Sequence, residues 1–183
     1  MNSERIFAMS KVNNRKKIEF IAYTAVFTAL IFVFTMLVNV KWPFGNGGLI
    51  HLGNVPLFVC AILLGKKSGA IAGAIGMGLF DLLSGWTMWA PFTFVIVGLM
   101  GFAVGSITHK RRTLCWYAIS FAVALVIKVV GYYIAEWIIY GNAIAPLQSV
   151  PGNIIQIGMA SVVVLIAIKP LEAAAKVVGF KYA

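Results

Sequence analysis

The run Leu114-Cys-Trp-Tyr-Ala-Ile-Ser-Phe-Ala-Val-Ala-Leu-Val-Ile-Lys128-Val-Val-Gly-Tyr-Tyr-Ile-Ala-Glu136-Trp-Ile-Ile-Tyr140 is apolar on every helical face and holds only two ionisable groups beyond its tyrosines and one cysteine. A helix needs about 20 predominantly apolar residues to cross the hydrocarbon core of a bilayer, and this run exceeds that. Working outward from it, similar runs fall at 18–40, 52–65, 67–84, 91–108 and 151–178, with 114–140 the fifth in order. They predict an all-α integral membrane protein: six transmembrane helices in one bundle, a single membrane domain over residues 1–183. Composition agrees, with 61% hydrophobic and 11% charged residues, against about 45–50% and about 25% in soluble domains. Lipid accepts such a chain because a spanning helix satisfies its own backbone polar groups.

The net charge of +10 does not point to nucleic acid, because the basic residues form no stripe interleaved with aromatics. They fall between the apolar runs instead. Arg5, Lys11, Arg15, Lys16 and Lys17 precede the first run, Lys66 and Lys67 sit in the second turn, Lys110, Arg111 and Arg112 in the fourth, and Lys169, Lys176 and Lys181 near the end. The intervening loops 41–50, 85–90 and 141–150 carry only Lys41. Cytoplasmic loops are enriched in Lys and Arg, so both termini are expected in the cytoplasm. The first run has no small-residue cleavage site at its end and is expected to stay as a span.

Gly65-Lys-Lys-Ser-Gly69 predicts a tight turn that makes a hairpin of the second and third helices. Small residues four apart let helix backbones approach closely in lipid; Gly65, Gly69 and Gly73, and Gly101 and Gly105, are read as internal packing rows. Ala25 and Ala29 form an AxxxA pair in the first helix, with Ala22 one position short of a further turn, which suits a neighbouring helix or another subunit. Cys60 and Cys115 lack metal-ligand spacing and are read as buried thiols.

A charge at the bilayer centre costs about 2.5–3.5 kcal/mol on insertion scales, so an acid or base within a span is a functional candidate. Asp81, Lys128 and Glu136 qualify. Lys128 and Glu136 are balanced between mutual compensation or snorkelling to an interface, on one side, and a cargo role on the other. Asp81 is the stronger candidate, because Asp81-Leu-Leu-Ser-Gly-Trp86 leads to Trp89-Ala-Pro-Phe-Thr93 and brings an acid, a hydroxyl and rings to one end. His51 and Asn54 enter the second helix and Asn153 and Gln156 the sixth, at the same level. Asn54 and Asn153 also suit helix caps, whereas Gln156 is a turn too deep for that. Trp42, Trp86, Trp89, Trp137 and Tyr140 crowd the outer ends; an aromatic belt at the headgroups explains each one alone, and stacking against a flat ligand explains the set. His51 has no second metal ligand nearby, so no metal is expected; a hydrogen bond or a lid over the site suits it better, with the glycine-rich 41–50 loop as that lid.

No nucleotide-binding or hydrolase motif is present, and the chain is short for the paired halves of most secondary transporters. A binding subunit powered by others fits better. Gly48-Leu-Ile-His-Leu-Gly-Asn54, Leu63-Leu-Gly-Lys-Lys-Ser-Gly-Ala70, the Asp81-Leu-Leu-Ser-Gly stretch, Ala90-Pro-Phe-Thr93, Pro151-Gly-Asn-Ile-Ile-Gln156 and the AxxxA pair together resemble the substrate-binding S component of energy-coupling factor (ECF) vitamin transporters, over nearly the whole chain. The nearest likeness is to the branch associated with hydroxymethylpyrimidine, pyridoxine or similar rings, some members being labelled riboflavin-type.

That resemblance implies a protein of the bacterial plasma membrane that binds a vitamin or precursor at its outer face. It also implies docking through the first helix, at Ala22, Ala25 and Ala29, onto a membrane coupling subunit carrying two ATPases, with no cofactor in this chain. The expected substrate contacts are Trp42, His51, Asn54, Asp81, Trp86, Trp89, Thr93, Tyr133, Asn153 and Gln156. Relatives often carry a lysine one turn into the fourth helix where this chain has Val97, and Lys128 is the candidate to replace its charge. Two other readings stay open: a small membrane enzyme using Asp81, His51 or Glu136 as acid and base, and a solitary facilitator that works without partners.

Overall fold

The computed structural model describes residues 3–41 and 49–177, with side chains described over 14–40 and 49–177. Among these residues the chain forms six helices: α1 Ser3–Leu37, α2 Asn54–Leu64, α3 Lys66–Leu83, α4 Ala90–Thr108, α5 Leu114–Tyr140 and α6 Val150–Val177. Two short strands, β1 Asn39–Lys41 and β2 Leu49–His51, lie between α1 and α2, and a 3₁₀ turn, Ala145–Gln148, precedes α6. The first helix thus stops at Leu37 instead of near residue 40. Asn39 Nδ2 donates to Thr35 O (3.3 Å) and Met36 O (3.1 Å), covering carbonyls that a helix end leaves unpaired. The ends of the expected loop then pair as an antiparallel ladder, Asn39 opposite His51 and Lys41 opposite Leu49. Strands of three residues carry too little alternation to be read from sequence.

Four segments are individually long and apolar enough to cross a membrane: 14–37, 90–108, 114–140 and 145–177. α2 and α3 form a hairpin. A single residue, Gly65, joins them, at φ 84°, a left-handed backbone that side chains resist. The turn is therefore shorter than the expected 65–69, and Lys66 already begins α3.

α2 sits at the centre, buried from Asn54 through Leu63 except for Val55, with Phe58 stacked on Phe121 of α5 at 4.5 Å between ring centres. Its 11 residues reach about 16 Å, roughly half of a hydrocarbon core of about 30 Å. The bundle axis beyond its N-terminus is left to other elements. α3 and α4 meet backbone to backbone: a Cβ added to Gly101 would lie 2.2 Å from the Gly69 carbonyl oxygen, and one at Gly105 would lie 2.4 Å from the Lys66 nitrogen. The two glycine rows therefore serve internal packing.

At the basic end, Arg112 Nη1 donates to Ile62 O (3.2 Å), covering a carbonyl of the last turn of α2, and lies 3.4 Å from Glu172 Oε1. Tyr117 and Lys169 also hydrogen-bond to Glu172. This network ties α2, α5 and α6 together at the end opposite Asp81. Large apolar side chains such as Ile18, Leu37, Leu83, Val126 and Ile166 point outward, as lipid-facing residues do. Cys60 is buried as expected, whereas Cys115, in the first turn of α5, is exposed.

Candidate substrate cavity

The half-length of α2 and the hairpin before it open a cavity at the base-poor end of the bundle. It is a half-open cleft, not a sealed chamber. β2 supplies Leu49 and His51, α3 Phe80 and Asp81, the α3–α4 turn Trp86 and Trp89, α5 Lys128, Tyr132 and Glu136, and α6 Asn153 and Gln156.

Local structure sets each of these. α3 ends at Leu83 and the chain reverses through Gly85 at φ 85°, with Trp86 N donating to Asp81 O (2.9 Å) and Ser84 N to Phe80 O (2.9 Å). Closure of a helix end by a left-handed glycine in this way folds Trp86 back beside Asp81. Trp86 and Trp89 meet edge to face at 5.2 Å, and Trp89 meets Tyr140 at 6.1 Å.

Thr93, in the first turn of α4, is buried. Its hydroxyl donates to Asp81 Oδ2 (2.5 Å) and in turn lies 3.0 Å from the Tyr132 hydroxyl. With its own proton given to Asp81, Thr93 accepts from Tyr132, and α3, α4 and α5 are linked by one chain of hydrogen bonds. Glu136, one turn beyond Tyr132, accepts from Ser149 at 2.5 Å, which holds the α5–α6 loop against the cavity wall. Gln156 Nε2 donates to His51 O (3.2 Å), joining α6 to β2. Gly53 N donates to His51 Nδ1 (3.2 Å), which requires that nitrogen to be unprotonated. His51 lies outside the spanning helices and is held well below its ordinary pKa, first by burial and second by the charge of Lys128.

Of the sequence candidates, His51, Asp81, Trp86, Trp89, Asn153 and Gln156 line the cavity. Thr93 does not line it but positions Asp81 and Tyr132. Trp42 lies outside the described residues, as does most of the 41–50 loop. Asn54 is fully buried in the first turn of α2 behind the wall, and neither of its side-chain amide atoms has a partner among the described residues; Gly53, not Asn54, holds the capping position. Tyr133 is a correction. Its hydroxyl donates to Ala143 O (2.8 Å) in the α5–α6 loop, and its neighbour Tyr132 faces the cavity instead. Adjacent residues on a helix point about 100° apart, and the pair Tyr132-Tyr133 offers no sequence signal to choose between them.

Lys128 and Glu136 both line the cavity, and sequence reasoning left them undecided. Two turns of helix on one face is the signal that could have placed them together. They do not pair: among the described residues Lys128 forms no ion pair, and its Nζ lies over the Tyr132 ring at 5.1 Å. Val97, where the resemblance implies a lysine, is wholly buried among apolar neighbours.

A helical membrane bundle that keeps a ring-lined polar cavity at one end, without a motif for nucleotide hydrolysis, defines a ligand-capturing transport component. Residues 15–173 match the family described as ECF-type riboflavin transporter, S component, and the chain belongs to that family. It is a transporter subunit and not an enzyme, which sets aside the acid–base reading of Asp81, His51 and Glu136. The chain is 29% identical over 175 residues to the thiamine precursor transporter HmpT of Lactococcus lactis subsp. cremoris, covering 94% of this chain and 99% of that protein. It is 31% identical over 134 residues to an uncharacterised protein of Pyrococcus woesei, covering 69% of this chain and 89% of the relative. In fold it is similar to the S component of a bacterial ECF transporter, with a TM-score of 0.71, 17% identity and coverage of 87% and 99% of the two chains. It is also similar to ThiT from Listeria monocytogenes, with a TM-score of 0.68, 19% identity and coverage of 85% and 96%.

Proposed function

We propose that this S component captures a small heteroaromatic vitamin or vitamin precursor, of the hydroxymethylpyrimidine or pyridoxine type, outside the plasma membrane. The observation that carries this reading is the cavity itself. The indoles of Trp86 and Trp89 from the α3–α4 turn, the Tyr132 phenol of α5 and the Phe80 ring of α3 surround a few polar groups, the usual composition of a site for a flat, polar ring. The full-length similarity to a thiamine precursor transporter supports the same cargo class.

The cavity lies at the end away from Lys66, Lys67, Lys110, Arg111, Arg112 and Lys169, so the positive-inside rule sets it outward and both termini in the cytoplasm. Delivery then takes place in complex with the ECF transmembrane coupling subunit and two ATPases. Ala22, Ala25 and Ala29 are exposed along α1, whose opposite face carries the buried Thr24 and Ile31. That smooth stripe lets another helix come close, and it is the docking surface in this reading.

Calorimetric titration of the purified chain with hydroxymethylpyrimidine, pyridoxine and riboflavin tests the cargo. Stoichiometric binding of a single-ring compound is expected. Riboflavin is the second reading, favoured by the family's description, and binding of riboflavin alone would select it. Uptake into vesicles should require the coupling subunits and ATP; uptake by this chain alone would return the solitary-facilitator reading.

A further inference from the structure

Two carboxylates in the cavity are each half used. Asp81 Oδ2 is taken by Thr93 and Glu136 Oε2 by Ser149, while Asp81 Oδ1 and Glu136 Oε1 have no hydrogen bond among the described residues. Lys128, two turns before Glu136 on α5, lines the same cavity; it is only 2% exposed, with no hydrogen bond or ion pair among the described residues. An ammonium group buried in a bundle is costly unless its donors are met. Here the group lines the cavity with only the Tyr132 ring, 5.1 Å away, beside it and no hydrogen-bond acceptor among the described residues.

Resting on the reading of this cavity as the cargo site, we propose that Lys128 is its specificity-determining residue, and that the site takes an uncharged, unphosphorylated ring presenting an acceptor to Lys128 and donors to Asp81 and Glu136. A ring nitrogen or hydroxyl oxygen supplies the acceptor; amino and hydroxyl substituents supply the donors. A permanently cationic ring brings its positive charge against the Lys128 ammonium and has lost one of the ring lone pairs that could accept from it. A phosphate ester satisfies Lys128 but brings its charge against two carboxylates at short range, where few solvent molecules screen it. The discrimination lies in uncompensated groups on both sides, which reject the wrong charge more strongly than shape alone does.

The test is titration of the purified full-length protein in detergent with four probes: hydroxymethylpyrimidine, the same ring methylated on a ring nitrogen to a fixed cation, a ring of equal size methylated on carbon, and the phosphate ester. The neutral rings are expected to bind and the fixed cation and the ester to bind at least about tenfold more weakly, the worth of one hydrogen bond to a charged group. K128M should lose about tenfold for the neutral ring and narrow the gap between neutral and cationic rings, and K128R should keep that gap. Equal binding of the neutral and cationic rings by the unmodified protein overturns the role of Lys128 while leaving the cargo reading in place, and needs no variant to fold. Binding of riboflavin and of no single ring overturns both.

Discussion

At the residue scale, neighbouring side chains in α5 divide two tasks. Tyr132 belongs to the chain of hydroxyls that holds Asp81, and Tyr133 to the loop beyond Glu136. Y132F should therefore weaken cargo binding about three- to tenfold, the net worth of a neutral hydrogen bond. Y133F should leave affinity unchanged, and calorimetry on the two variants separates them. His51 allows a second prediction. Because the folded chain keeps it neutral while the unfolded chain takes up a proton near the ordinary value of 6.5, its contribution to stability is present above that pH. It is lost as pH falls below it. Melting in detergent at about pH 7.5 and about pH 5.5 should show a smaller drop for H51Q than for the unmodified chain.

At the scale of elements, glycines decide where helices end and how closely they pack. Gly85 holds a left-handed turn with open space around it, so G85A should cost about 1–2 kcal/mol from backbone strain alone. Because that turn sets Trp86 beside Asp81, cargo affinity should fall with it. Gly101 is a different case. A methyl group there meets the backbone of Gly69 and not a flexible side chain, so α3 and α4 must separate. G101A should lower the melting temperature well beyond G85A, in line with the larger losses from overpacking. A thermal scan of both variants in the same detergent checks the order.

At the scale of the whole molecule, the proposed capture and docking surfaces are separate. The cavity is built from β2, α3, α5, α6 and the α3–α4 turn, while the alanine stripe lies on the outer face of α1. A25W should abolish ATP-dependent uptake in vesicles containing the coupling subunits while leaving affinity in detergent unchanged. Loss of both, or of neither, would remove α1 from the docking role. The network of Arg112, Tyr117, Lys169 and Glu172 makes the basic end a fixed unit.

The amino-acid sequence by itself determined the six helices and their approximate ends, because apolar runs near bilayer length admit little else once lipid forbids open backbone. It also marked Asp81, His51, Gln156 and the two tryptophans, since polar or ring-bearing groups at one level of a membrane bundle are rarely without purpose. Only the tertiary structure decided that Tyr132 and not Tyr133 faces inward, that Asn54 lies behind the wall, that Thr93 braces Asp81 and that Lys128 lines one cavity with Asp81 and Glu136 without an ion pair among the described residues. Those outcomes depend on how far each helix is rotated about its axis and on α2 stopping halfway across. Rotation and depth are settled by contacts between helices distant in the chain, which no local pattern of residues contains.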